Sequence, residues 1–372
     1  MSVPSLRAQA SQALSVADFE VSAHNSLPPA HWGYLATGVD DDLTLKANIS
    51  AFQKIALRPR RLVDVSKTDT RVEIFGQTWD SPLFLCPVGA QKAFHPEGEA
   101  AVARAARAKR VTQVLSTVTS VSVEKVTQEL GRAPWFQLYM PAAWENTEKL
   151  VRRVEAAGCP VLVWTIDLFG GRNSETLSRL MRTDKRECGS CHPAGPALVV
   201  AGLPPARETP MLDGIGGNVN PPFATWAFVE RLKKLTTMKV VLKGIDNADD
   251  ARLARESGAD GVVVSNHGGR ATETLRSTID CLPEVVDAVK GMPVLIDGGF
   301  RRGSDIYKAL ALGAKAVGVG RPYIYGLASQ GQAGVERVID ILRGELEMTM
   351  RQCGTPAVSG IGRGAVIRPG SA

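Results

Sequence analysis

The sequence predicts an α/β chain closed into a TIM-type (β/α)8 barrel, and three observations carry that prediction. Eight short apolar runs, many β-branched, recur along the chain. Amphipathic stretches of helical period separate most of them, so the units read as right-handed βαβ crossovers around a parallel sheet. The first strand-to-helix turn, Gly89-Ala90-Gln91-Lys92, lacks the G-x-G-x-x-G that opens a doubly wound sheet.

Taken in order, the strand candidates are residues 82–88 (PLFLCPV), 112–116 (TQVLS), 135–139 (WFQLY) and 160–167 (PVLVWTID). Residues 239–244 (KVVLKG), 261–266 (GVVVSN), 293–298 (PVLIDG) and 316–320 (AVGVG) follow after a gap. Continuous apolar runs mark strands buried on both faces. Residues 97–110, 145–158 and 304–312 read as helices between them. Eight units in roughly 250 residues is the count of a closed barrel. Residues 1–80 form an N-terminal extension, helical over 24–52, with Tyr34 close to Gly38. The long gap 170–222 reads as a lid-like loop, basic at first (Arg179, Arg182, Lys185, Arg186) and then rich in Gly and Pro. The whole of 1–372 is expected to be one barrel domain.

With 44% hydrophobic and 22% charged residues the composition is that of a globular protein. A net charge of +6 suits an anionic ligand or a polar membrane surface. The basic residues are scattered without interleaved aromatics, so no nucleic-acid partner is expected. The six cysteines are sparse and sit mostly in apolar runs, as reduced thiols do. With no signal-peptide-like start and no membrane-length apolar run, a cytoplasmic location is expected.

Polar residues gather at the C-terminal strand ends, where barrels build their sites: Ser116, Gln137, Tyr139, Thr165, Asp167, Lys243, Ser265, His267 and Asp297. After the seventh and eighth strands lie Asp297-Gly298-Gly299-Phe300-Arg301-Arg302-Gly303 and Gly318-Val319-Gly320-Arg321. Glycines let backbone N–H groups approach a phosphate, and arginine adds a charged fork. Lys243 ends an apolar strand and needs a partner. A flavin ring would supply one, while Schiff-base aldolases also place a lysine on a barrel strand.

The sharpest motif is Ser265-Asn266-His267-Gly268-Gly269-Arg270. Its glycines permit a tight turn that aims a base and a carboxylate clamp into one cleft, as chemistry beside a carboxylate requires. This SNHGGR run resembles the signature of the FMN-dependent α-hydroxy-acid oxidase and dehydrogenase family, which includes glycolate, lactate and mandelate enzymes. Residues 27–363 share the resemblance through PVGAQKAFHPEGE, FQLY, TID, LKG, DGGFRRGSD and VGVGRPY, in the family's order. It implies FMN as cofactor and a small (S)-2-hydroxy acid as substrate. Electrons would pass to oxygen, a quinone or a redox protein, and the assembly would be a homotetramer. It further implies His267 as base, Asp167 as the carboxylate orienting it, and Tyr139 on the substrate oxygen. Arg270, Arg172 and Tyr34 would bind the substrate carboxylate. Val88, Gly89, Ser116, Gln137, Thr165, Lys243 and Ser265 would line the flavin ring, and Asp297, Gly299, Arg301, Gly320 and Arg321 its ribityl phosphate. No metal is implied.

The chain departs from the family pattern at several points. The stretch after Asp167, LFGGRNSET, differs from the family's run and shifts the arginine represented by Arg172. Ala271 stands where glutamine is usual, and Val118 where tryptophan often occurs, which suggests room for a larger substrate side chain. Gly89 replaces the alanine of several oxidases, leaving oxygen reactivity open. Within 170–222, Cys188-Gly189-Ser190-Cys191-His192 has the form of a haem-attachment motif but reads better as a structural or redox-sensitive pair. The neighbouring PALVVAGLPP reads as a covering lid or a peripheral membrane contact. Alternative activities are oxidative decarboxylation of the lactate 2-monooxygenase type and a flavin-barrel isomerisation without net redox change.

Overall fold

The computed structural model describes residues 10–185, 209–215 and 219–368. Eight parallel strands close a barrel in sequence order: β1 (Leu83–Leu85), β2 (Thr112–Ser116), β3 (Trp135–Leu138) and β4 (Val161–Thr165), then β5 (Lys239–Ile245), β6 (Gly261–Val264), β7 (Val294–Ile296) and β8 (Ala316–Val319). Each falls within, or within one residue of, a predicted run. β8 pairs with β1 through Val317–Leu83, Gly318–Phe84 and Val319–Leu85, which closes the sheet and leaves no free edge.

The alternation of side chains along each strand divides the core into two layers. Val114, Val163, Val241, Val263 and Leu295 fill the barrel interior. Leu115, Leu162, Val240, Val262 and Ile296 face the surrounding helices. Both layers are apolar, which is why the strands read as continuous hydrophobic runs. The predicted helices appear as Gly98–Lys109, Trp144–Ala156 and Gly303–Ala311.

The N-terminal extension adds more than helices. An antiparallel hairpin of Val72–Ile74 and Gln77–Trp79 inserts Ile74 and Trp79 into the interior cluster beside Trp135. Apolar side chains thus plug the N-terminal end of the barrel. The helical part divides into Val16–Ser26, Pro29–Ala36 and Leu43–Ser50. Of these, Pro29–Ala36 packs on Glu175–Thr183, a helix within the predicted loop after β4. The Cys188, Cys191 and His192 motif and the apolar run 196–205 lie outside the described residues, as does Arg186.

Candidate active site

The C-terminal strand ends open into a cleft continuous with solvent. Tyr34, Val88, Gly89, Tyr139, Arg172, Lys243, His267, Arg270, Asp297, Gly299, Arg301, Gly320 and Arg321 line it, all of them predicted site residues. Ser116, Gln137, Thr165, Asp167 and Ser265 are not among its lining residues; they lie buried nearby.

His267 stands three residues beyond β6, in a turn whose backbone reaches the left-handed region at φ +57°. Its Nδ1 lies 2.9 Å from Asp167 Oδ1, and its Nε2 lies 3.3 Å from the Tyr139 hydroxyl. Asp167 follows β4 by two residues and Tyr139 directly follows β3, so three strand ends converge on one imidazole. Burial lowers the His267 pKa; the Asp167 charge opposes this, and the balance lies below the ordinary value. Burial raises Asp167, but the His267 and Lys243 charges outweigh it and keep the carboxyl below its usual range. The pair therefore favours a neutral imidazole, oriented by a carboxylate and ready to accept a proton.

Arg270 donates through Nη1 to the carbonyls of Tyr34 (2.5 Å) and Thr37 (2.7 Å), and its guanidinium lies 4.7 Å from the Tyr34 ring centroid. Burial, then the like charge of Arg172, pushes Arg270 down to about 9. The like charges of Arg172 and Arg270 in one cleft favour a bound anion beside them. A carboxylate provides that charge and accepts bidentate hydrogen bonds.

Behind the cleft, Lys243 Nζ donates to Ser265 Oγ (2.8 Å) and lies 3.5 Å from Asp297 Oδ2. Ser265 Oγ donates to Asp297 Oδ1 at 2.6 Å and accepts the His267 backbone N–H at 3.1 Å. Burial works against the Lys243 charge, but Asp297 and then Asp167 outweigh it and raise its pKa. Gln137 Nε2 and Thr165 Oγ1 are buried without a hydrogen-bond partner in the structure. Buried polar atoms normally have partners, and the carbonyls and nitrogens of a flavin ring would supply them. At the other end, Gly320 precedes a helix that begins at Arg321 and is broken from its continuation by non-helical backbone at Gln330 and Gly331. A Cβ built on Gly320 would come no closer than 3.8 Å to Cys86 Cβ and 4.0 Å to Val88 Cγ2, leaving space beside a helix N-terminus for phosphate. The residues present therefore fit FMN.

Val118 also lines the cleft, and a Cβ on Gly89 would lie 2.5 Å from Val118 Cγ2, so the two positions share one space. Sequence reasoning missed Cys86, whose thiol lies 3.7 Å from Asp297 Oδ2 and lines the same cleft. It resembles any other cysteine in an apolar strand. It also missed Asn48, buried in the helix Leu43–Ser50 and bonded to Asn266. The one available signal was a polar Thr44–Asn48 pair at helical i,i+4 spacing. Among the described residues, no cluster of His, Cys, Asp and Glu is arranged to hold a metal ion.

Comparisons with known proteins agree with this geometry. A peroxisomal (S)-2-hydroxy-acid oxidase of Oryza sativa subsp. japonica is 40% identical over 362 residues, covering 96% of each chain. An L-lactate oxidase of Lysinibacillus sphaericus is 38% identical, covering 96% of this chain and 93% of its own. Among solved structures, mandelate oxidase with (S)-2-phenylpropionate superposes with a TM-score of 0.82 at 40% identity, covering 94% of this chain and 96% of that one. A flavocytochrome b2 variant with pyruvate bound gives 0.84 at 32% identity, covering 96% and 87%. Residues 23–368 match the FMN-dependent dehydrogenase family, and the chain belongs to it: it is an FMN-dependent oxidoreductase on a (β/α)8 barrel.

Proposed function

We propose that the protein oxidises a small (S)-2-hydroxy acid to the corresponding 2-oxo acid. The observation that carries this reading is the His267–Asp167 pair, with the Tyr139 hydroxyl on the far imidazole nitrogen, in a cleft that also holds Arg270 and Arg172. The substrate carboxylate lies between the two arginines, with Tyr34 beside it. That placement brings the C2 hydroxyl toward His267 Nε2 and Tyr139. His267 removes one proton, from either C2 or the hydroxyl, and Asp167 stabilises the resulting imidazolium. A bound FMN would supply the two-electron acceptor as the C2–O bond becomes a carbonyl, and the second hydrogen would leave with the electron pair as hydride or follow it as a proton. Lys243 would supply positive charge beside the flavin ring, and Gly299, Arg301, Gly320 and Arg321 would hold the phosphate end.

Oxygen is the acceptor best supported, because the similar enzymes from Oryza sativa and Lysinibacillus sphaericus are named oxidases. Val118 in the cleft wall supports side chains larger than that of glycolate. A cytoplasmic location and a homotetramer, the latter implied by the family resemblance, are part of the same proposal. Sedimentation showing only a single chain would overturn the assembly.

The test is anaerobic mixing of the FMN-loaded enzyme with glycolate, (S)-lactate and (S)-mandelate. The expected result is bleaching of the flavin band by at least one acid, with recovery on admitting air and release of the 2-oxo acid. A decarboxylated product would instead indicate monooxygenase chemistry. His267→Asn should bind FMN normally yet lose roughly 10²–10⁴ in flavin reduction rate. Wild-type reduction in that variant would remove His267 from the mechanism.

A further inference from the structure

The helix Leu43–Ser50 inverts the usual burial pattern. Leu43 is 44% exposed and Ile49 38%, whereas the buried positions are Thr44 at 0% and Asn48 at 1%. Burying polar side chains costs free energy unless each is hydrogen-bonded, so their partners indicate what the helix holds in place.

Those partners belong to the segment that carries His267. Asn48 Nδ2 donates to Asn266 Oδ1 at 2.8 Å, and Asn266 Nδ2 donates back to Asn48 Oδ1 at 2.9 Å. The pair recruits the surrounding backbone. Asn48 Oδ1 accepts the Thr278 N–H (3.1 Å), Asn266 Oδ1 accepts the Gly269 N–H (3.0 Å), and Asn266 Nδ2 donates to the Arg276 carbonyl (3.1 Å). Thr44 Oγ1 accepts the Leu275 N–H, and the Glu273 carboxylate accepts the first N–H groups of the helix from Leu43 and Thr44. On the opposite side, a Cβ on Gly299 would lie 2.0 Å from the Asn48 carbonyl oxygen, so the phosphate-side turn packs directly on the same residue.

We infer that Asn48 is a positioning residue, whose paired amides with Asn266 fix the turn that holds His267 in line with Asp167. The inference rests on the reading of His267 as the base. A non-glycine residue in the left-handed region persists only where its surroundings over-determine it, and His267 is such a residue. Asn266, its immediate neighbour, has no freedom while both its amide atoms are engaged. Arg270 has separate anchors in the carbonyls of Tyr34 and Thr37. Loss of Asn48 should therefore disturb proton removal more than substrate binding.

The test uses FMN-loaded Asn48→Ala, Asn266→Ala and the double variant, with turnover expressed per bound FMN and with (S)-lactate and (S)-mandelate as probes. Expressing turnover this way removes any loss of folded or flavin-bearing protein. Each single variant should lose roughly ten- to a hundredfold in kcat, the scale of a small misplacement of a reacting group, with KM changed less than about threefold. The double variant should lose no more than the worse single one, because both remove the same pair. Should Asn48→Ala not fold, Asn48→Ser keeps an acceptor for Thr278 without the reciprocal amide, and a smaller fall in kcat is expected. Unchanged kcat per bound FMN, or losses that multiply in the double variant, would overturn the inference. His267→Asn run in parallel separates the two readings. If it alone is inactive, only the Asn48 inference fails; if it turns over normally, the reading of the base fails.

Discussion

The state of His267 governs the pH response of the site. The proposed reaction needs a neutral imidazole, and burial in this cleft already favours that form. Protonation silences the base, so kcat/KM should rise with pH through a limb below the ordinary value of 6.5 and level off across neutrality. In Asp167→Asn the largest influence raising that pKa is gone, so the limb should move further toward acid. At the same time kcat should fall by about 10² or more, because nothing then stabilises the imidazolium. A wild-type limb at or above 6.5 in the pH profile would contradict this account. His267, Asp167 and Arg270 were legible in the sequence because their types and motif imply chemistry. Asn48 was not, because an asparagine in a short helix has meaning only through its partner 218 residues away.

Helix ends in this chain are set by local chemistry, and they yield a prediction independent of the active site. Asn247 caps the helix Ala248–Glu256 by accepting the Asp250 N–H at 2.8 Å. Asn247→Ala should cost about 1 kcal/mol and lower Tm by roughly 1–2 °C, with turnover unchanged. Thermal unfolding and a steady-state assay check both halves. The barrel strands and the helices between them follow from periodicity and turn residues, so they could be read in advance. The hairpin of Val72–Ile74 and Gln77–Trp79 could not. Its few residues carry a weak pattern, and it forms because Ile74 and Trp79 find the open end of the barrel.

At the scale of the whole molecule, closure between β8 and β1 both completes the fold and shapes the floor of the cleft. A Cβ on Gly318 would lie 2.5 Å from Cys86 Sγ and 2.6 Å from the Phe84 ring. Gly318→Ala should therefore destabilise the protein by about 1–3 kcal/mol through overpacking at the seam. It should also weaken FMN retention, since both Cys86 and Gly318 line the cleft. Denaturant unfolding and a flavin-release titration test the two effects together. Wild-type stability would mean that the seam relaxes without disturbing the site.

The sequence by itself determined the barrel, its strand order and which histidine and arginine enter the cleft. Apolar periodicity and short motifs are local properties, and they survive without knowledge of the fold. Only the tertiary structure decided that Arg172 reaches the cleft despite the altered run after Asp167, and that Val118 and Gly89 share one space. It alone joined the helix Leu43–Ser50 to the turn of His267. Those arrangements depend on distances between segments remote in sequence, and such distances are set by packing.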